Sequence, residues 1–398
     1  MKNDSPIIII GGGIIGLALG YKLLRSKKVS SLIILEKEKE VGLHQSSHNS
    51  GVLHAGLYYA VGSLKAKLAV DGIRQMVSFC RENGIAHEIC GKLVVAKEEA
   101  ELSELHRLKK QGDANGLVGL QILDSKEMKK IEPFASGIAS IYVPEEGIVD
   151  YRQVCQVLAT KIELMGGKIF REAKVVDIKK KGRTWKIKTG RGNFLTSFLV
   201  NCAGLYCDRI CRLAMGHCPI RIVPFRGEYF EIKEHRKYLV KNLIYPVPDP
   251  RFPFLGVHLT RMINGRVEAG PNAVLSFSRE GYSKGSFDWR DTYEIFSYQG
   301  FWNFLKRYPL AAWEEWKRSR RKSLFCKAIQ KLVPEIQEQD MIAGAVGIRA
   351  QALFPDGKLV NDFLFVKEEG VLHLLNAPSP GATASLAIAD EIVNRIEA

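Results

Sequence analysis

Ile7-Ile-Ile-Ile-Gly11-Gly-Gly13-Ile-Ile-Gly16 opens the first readable pattern of the chain, and Ser31-Leu-Ile-Ile-Leu-Glu36 completes it. An all-isoleucine strand runs into glycines at Gly-x-Gly-x-x-Gly spacing. A helical stretch follows, and a second apolar strand ends in an acid. That order is a dinucleotide-binding βαβ unit. Gly11 allows the tight turn, Gly13 lets the backbone approach a pyrophosphate, and Gly16 lets helix and strand pack closely. The helix N-terminus, at Ile14 and Ile15, offers N–H groups and partial positive charge to phosphates. Glu36 lies twenty residues after Gly16, where a carboxylate accepts hydrogen bonds from ribose hydroxyls and repels a 2′-phosphate. The glycines alone carry little weight. With both strands and the acid they imply a bound adenine dinucleotide.

At 398 residues the chain has room for two joined domains. Its 46% hydrophobic and 25% charged residues are globular values. No run of about 18 apolar residues exists, so no spanning segment is expected. The first strand starts almost at once, so no leader peptide is expected either, and the chain should stay in the cytoplasm. The eight cysteines include no Cys-x-x-Cys pair. Cys207, Cys211 and Cys218, with His217, are too loosely spaced for a structural zinc site, so no metal is expected and the thiols read as buried and reduced. A net charge of +15 would attract nucleic acid, anionic lipid or an anionic substrate. The positive residues are scattered, except in one stretch.

Along the chain, Ser63–Asn83 has helical spacing, with Leu64, Leu68, Ile73, Val77 and Phe79 as core candidates. Gly91–Ala96 reads as a strand, Glu98–Gln111 as an exposed helix, and Ser125–Ile131 as a short helix. Tyr151–Met165 is helical. Ile169–Ile178 and Trp185–Thr189 alternate like strands. Phe198–Cys202 is a strand entering Ala203-Gly204, the second strand-to-glycine element. Residues 218–275 look antiparallel, with Asn264-Gly265 as a hairpin turn. Asp288–Val333 is helical and basic. Gly344–Ala352, Phe363–Val366 and Val371–Asn376 return to strand patterning, and a last helix opens after Pro378-Ser-Pro-Gly381.

A nicotinamide enzyme of the common kind would continue with regularly alternating strands and helices. Here a long antiparallel region intervenes, and strand–glycine–helix returns at the end. A helix N-terminus at Gly381–Ser385 could hold negative charge on the N1/O2 edge of a reduced flavin.

The run His48-Asn-Ser-Gly-Val-Leu-His-Ala-Gly-Leu-Tyr-Tyr59 resembles the flavin-side loop of the L-2-hydroxyglutarate oxidase/dehydrogenase family, within the FAD-dependent, D-amino-acid-oxidase-like superfamily. Pro224–Phe230, Leu243–Pro250, Phe254–Arg261, Gly270–Val274, Gly347–Ala352 and Asn376–Gly381 are similar to that family in the same order. The likeness covers nearly the whole chain and is weakest over 300–340. Motifs 48–59 are shared in part with glycerol-3-phosphate oxidases; those from 224 to 272 discriminate.

The resemblance implies an α/β fold: a discontinuous, Rossmann-like FAD-binding domain (1–90, 145–215 and 341–398) and a mixed, largely antiparallel α+β substrate domain (91–144 and 216–340). FAD is expected against Gly11, Gly13, Ile14, Ile15, Gly16, Glu36, Lys37, Ser47, Asn49, Ser50, Gly51, Val175, Ala203, Gly204, Pro380, Gly381, Ala382 and Thr383. The implied reaction is oxidation of L-2-hydroxyglutarate to 2-oxoglutarate, with electrons passed to quinone or oxygen.

Such a reaction needs a base for the hydroxyl proton and cations for two substrate carboxylates in a partly dry site. A neutral imidazole suits the base. His54, which follows the cofactor loop closely, is favoured over His258. Arginine binds both oxygens of a carboxylate with its planar fork, which singles out Arg226, Arg261 and Arg349. Tyr59, Tyr229 and Tyr245 are candidate hydroxyl donors, with Asn272 and Lys358 as weaker ones.

In the basic stretch, Phe301, Trp302, Phe304, Leu305, Trp313 and Trp316 alternate with Lys306, Arg307, Lys317, Arg318, Arg320, Arg321 and Lys322. That mixture suits a peripheral docking surface for the cytoplasmic face of the inner membrane, and equally a charged helix packed by its aromatic face. Nucleic acid is not an expected partner, since no reading module accompanies the charge. Two rivals stand beside the main reading: glycerol-3-phosphate oxidation, which would want cations arranged for one phosphate, and an RNA-associated or non-catalytic flavin-binding protein.

Overall fold

The isoleucine run is buried on both faces because both are covered. Alternate side chains of a strand point to opposite sides. Ile7 and Ile9 join a core with the helices Ile14–Arg25, Leu64–Glu82, Tyr151–Leu164 and Ser385–Glu397. Ile8 and Ile10 join another with Ile178, Trp185 and Ile187 of a three-stranded antiparallel sheet and Ile210 of the helix Cys207–Met215. These positions come from a computed structural model, described here for residues 5–249, 256–283 and 285–397. Pro250, Phe254 and Leu255 of the quoted motifs lie outside the described residues.

The run is a central strand of a six-stranded sheet ordered Leu364–Glu368, Val371–Asn376, Phe198–Asn201, Ile7–Ile10, Leu32–Leu35, Lys168–Phe170. All neighbours are parallel except the antiparallel edge strand 364–368. The glycine turn is sterically required. A Cβ on Gly16 would stand 2.0 Å from the Gly11 carbonyl oxygen, and one on Gly11 (φ +110°) would stand 2.4 Å from that of Cys202.

The second large sheet has nine strands and is mixed. Its axis is the antiparallel pairing of Arg221–Ile232 with Met341–Leu353 along their length. Leu243–Pro246 runs parallel to Lys92–Ala96, whereas its other neighbour, His258–Arg261, is antiparallel. Asn264-Gly265 turns the hairpin between His258–Arg261 and Val267–Gly270, with Gly265 at φ +80°. One face is covered by a core containing Met128, Phe325 and Ile329. Ile295, Phe301 and Phe304 pack on Val223, Phe225 and Leu353.

Three readings change. The stretch 341–353, grouped with the cofactor side from sequence, pairs throughout with 221–232 and belongs to the larger sheet. Ile169–Ile178 is two strands in different sheets, Lys168–Phe170 and Val175–Lys181, so its alternation does not continue across the break. The helix after Glu98 is not all exposed, because Leu102–Ala114 buries Leu105 and Leu108 in the core.

Candidate functional site

A cavity of about 1200 Å³ runs from the glycine turn to the nine-stranded sheet, with Gly11 and Glu36 in its lining at one end and His258 and Arg349 at the other. Ligand pockets for drug-sized molecules hold roughly 300–1,000 Å³. The space therefore suits a dinucleotide together with a small substrate.

At the glycine end, Glu36 is buried, and its Oε2 accepts from the Gly12 N–H at 2.7 Å while Oε1 accepts from Glu38 N–H at 2.9 Å. Two backbone donors thus fix the carboxylate at the end of the second strand. Gly13 keeps the helix start open: a Cβ there would meet only Ser46 Oγ, at 3.4 Å. Ser46, absent from the sequence reading, accepts from Ile14 N–H at 2.9 Å and so caps the first helix. Gly13, Ile14, Ile15, Glu36, Lys37, Asn49, Ser50, Val175, Ala203, Gly204 and the run Pro380–Thr383 all line the cavity. The glycine at the helix start, the anchored acid and the length of the channel fit an adenine dinucleotide.

Gly16, Ser47 and Gly51 do not line the cavity. Gly16 is consumed by close packing, as above. The Ser47 hydroxyl donates to the Gly42 carbonyl at 2.6 Å. Gly51, at φ +66°, lies against the Val149 carbonyl, which a Cβ would approach to 2.8 Å. These three shape the wall.

At the other end, His54, Tyr59, Tyr229, Tyr245, His258 and Arg349 share the cavity lining. His258 is buried and stacks on Tyr245 with ring centroids 3.9 Å apart. Its Nδ1–H donates to the Gly256 carbonyl at 3.0 Å. Burial holds the imidazole down to about 3, so it stays neutral. His54 is fixed differently. Its backbone N–H donates to Thr383 Oγ1 at 3.2 Å, which ties it to the start of the last helix. Its Nδ1 lies 3.5 Å from Glu146 Oε2.

Glu146 escaped the sequence reading, and so did its partner. Both are buried, and Lys92 Nζ sits 2.7 Å from Glu146 Oε2. Burial alone would raise the Glu146 carboxyl, but the Lys92 charge and the His54 contact override it and hold it down to about 2. Burial also pulls the Lys92 ammonium below its ordinary value, against the pull of Glu146. A lysine inside the apolar strand Lys92–Ala96 was the available signal; Glu146, in a polar turn, offered none. Lys65 was missed too. It lines the cavity, stands 4.6 Å over the Tyr59 ring, and burial lowers it to about 8.

Four candidates belong elsewhere. Arg226 is paired with Glu228 at 2.9 Å and lies outside the cavity lining. Glu228 also accepts from Asn272 Nδ2 at 2.8 Å and Ser319 Oγ at 2.6 Å, so Arg226 and Asn272 both serve a junction between the sheet and the helix Pro309–Arg320. Arg261 is paired with Glu88 at 2.6 Å, away from the cavity. Lys358 pairs with Asp356 at 2.9 Å on an exposed turn. Each of these three cations is neutralised by a carboxylate of the chain. The basic stretch divides similarly: Phe301 and Phe304 are buried, whereas Trp302 and Trp313 are exposed. The Trp316 side chain lies outside those described. Among the described residues no helix is long and apolar enough to cross a membrane.

Residues 6–395 match the family of FAD-dependent oxidoreductases. The chain is 46% identical to an L-2-hydroxyglutarate dehydrogenase of Indibacter alkaliphilus, over 97% of each chain. It is 41% identical to the L-2-hydroxyglutarate dehydrogenase of an Escherichia coli strain, covering 98% of this chain and 92% of that one. Among solved structures, the dithionite-reduced, FAD-bound L-α-glycerophosphate oxidase of Mycoplasma pneumoniae superposes with a TM-score of 0.81. It covers 99% of this chain and 94% of its own at 22% identity, a likeness of fold.

Proposed function

The chain belongs to the family of FAD-dependent oxidoreductases, alongside its L-2-hydroxyglutarate dehydrogenases, and on that premise we propose that it oxidises L-2-hydroxyglutarate to 2-oxoglutarate. The observation that carries the reading, beyond kinship, is a carboxylate-backed imidazole, His54, in one cavity with the cations Arg349 and Lys65.

FAD bound along the glycine turn supplies a two-electron acceptor for the hydride leaving C2. The protein's part is to hold the substrate and take its proton. With Nδ1 turned to Glu146, His54 leaves Nε2 to accept the hydroxyl proton. His258, neutral and donating through Nδ1, is a weaker base suited to receiving a hydrogen bond at Nε2. Arg349 and Lys65 meet the carboxylates, and the buried hydroxyls of Tyr59 and Tyr229 serve as donors. Burial keeps both phenols protonated: it raises Tyr59 well above its ordinary value and Tyr229 up to about 12. Pro380–Thr383 and the glycine turn hold the cofactor between them.

The electron acceptor in this reading is quinone or oxygen. Peripheral contact with a lipid surface is supported by a cluster of exposed rings, Phe277, Phe287, Trp289, Tyr293, Phe296 and Trp302, which lies largely upstream of the 301–322 stretch. The cofactor side comprises the six-stranded sheet with its helices, and the substrate side the nine-stranded sheet including 341–353.

Anaerobic titration of the FAD-loaded protein tests the function. L-2-hydroxyglutarate should bleach the flavin band, and the D-enantiomer should not. Bleaching by glycerol 3-phosphate alone would overturn the assignment.

A further inference from the structure

We propose that Glu146 and Lys92 form a positioning pair that sets the basicity of His54 in opposite senses, Glu146 raising it and Lys92 restraining it. The inference rests on the reading of His54 as the proton acceptor. Glu146 is held from two sides. Oε1 accepts from the Ala55 N–H at 3.2 Å, next to His54 in the chain, and Oε2 faces both Lys92 Nζ and His54 Nδ1. The carboxylate therefore holds the loop that carries the imidazole and faces its ring.

Lys92 stands on the carboxylate outside the cavity lining. Its ammonium lies 4.5 Å from the Tyr58 ring and 5.0 Å from the Tyr245 ring, an aromatic cage that stabilises a cation without adding negative charge. The other groups facing His54 are few. Tyr245 meets it edge-on at 6.4 Å, and Tyr58 and Tyr245 are kept neutral by burial. His258 is neutral, Arg349 carries a positive charge at the same end of the cavity, and the Thr383 hydroxyl is engaged by the backbone of His54. Among the described residues, Glu146 is the anion in contact with the imidazole.

The two charges act at short range in a site of low dielectric, where each counts for more than in water. When His54 takes the substrate's hydroxyl proton it becomes a cation. A carboxylate at Nδ1–H stabilises that cation, as in hydrolase triads. Lys92, paired with the same carboxylate oxygen, offsets part of that attraction.

The test uses FAD-loaded Glu146→Gln, Lys92→Met and the double variant. One readout is the protonation midpoint of His54, followed by NMR of labelled histidine without substrate. The other is the acidic limb of kcat/KM. Glu146→Gln should lower both midpoints by about one unit and reduce kcat at least about tenfold. Lys92→Met should raise them. Lys92→Met leaves an uncompensated carboxylate and could fail to fold. The double variant removes both charges, and its midpoint should still exceed that of Glu146→Gln. Midpoints that stay put, or that move the same way on losing either charge, overturn the proposal. If L-2-hydroxyglutarate does not reduce the parent protein, the substrate assignment falls while the NMR titration still decides this one.

Discussion

The buried charges around Arg279 and those around Lys92 are built differently. Around Arg279 the guanidinium is saturated. Nη1 and Nη2 donate to Asp208 at 2.5 and 3.0 Å, Nη1 also reaches the Leu205 carbonyl, and Glu294 stands 3.2 Å from Nη2. Asp208 further accepts from the Ile222 N–H at 3.1 Å, and Asp291 from the Arg279 N–H at 2.7 Å. The cluster thereby ties together the helices Cys207–Met215 and Trp289–Phe296 and the strand Arg221–Ile232. Around Lys92 the described residues place one anion, Glu146, and that anion also faces an imidazole in the cavity wall. Buried charge by itself does not mark a working site. What distinguishes Glu146 is that the same carboxylate also faces an imidazole in the cavity wall, as the role proposed for His54 requires.

Breaking the saturated cluster should cost most. Arg279→Met leaves the buried Asp208 with the longer, 3.5 Å ion pair to Arg212, and removing one partner of a buried pair costs about 3–5 kcal/mol. Denaturant unfolding should show that loss, with unchanged KM in whatever fraction stays folded. A stability close to that of the parent would mean the cluster is not closed as described.

His54→Ala should cost about 10²-fold or more in turnover, with flavin binding and unfolding midpoint kept. Steady-state rates with L-2-hydroxyglutarate measure it, and unchanged turnover would remove His54 as the base. Arg349→Ala should act mainly on KM, raising it about 10- to 100-fold, if the guanidinium holds a carboxylate equally in ground and transition states. Arg226→Ala, by contrast, should leave KM alone and lower stability, because its partner is Glu228.

That contrast between two arginines shows where the sequence could be read. The glycine turn was legible because its requirements are local: Gly11 and Gly16 are forced by atoms a few residues or one strand away. Most of the residues expected against the cofactor were read from it and from the loop 48–59, and most of those line the cavity. Arg226, Arg261 and Arg349 look alike in sequence, each at the end of an apolar run. What separates them is where the fold puts them: Arg349 lines the cavity, whereas Arg226 and Arg261 lie outside it on Glu228 and Glu88. Glu146 was invisible for the same reason, since only the fold places it between a buried strand lysine and His54. The pairing of 341–353 with 221–232 was not legible because strand patterning does not name the partner strand.

The smallest expected effect separates a buried carboxylate that has a cation from one that lacks it. Glu268, on Val267–Gly270, is buried with no cation at ion-pair distance among the described residues. Burial raises its carboxyl to about 7, with Arg266 opposing and Glu231 reinforcing the shift. Its folded state thus binds a proton more tightly than the unfolded chain. The resulting stabilisation is complete below the ordinary carboxylate value and fades as pH rises through about 7. Glu146, held down to about 2, has the opposite sign: its contribution is present above the ordinary value and fades as pH falls toward 2. Glu268→Gln should therefore melt on the order of 1–3 °C above the parent at pH 8, with the advantage shrinking as pH drops to 5. A difference in melting temperature independent of pH would mean that Glu268 does not titrate in the folded protein. The line drawn between paired and unpaired buried acids would then have to be redrawn.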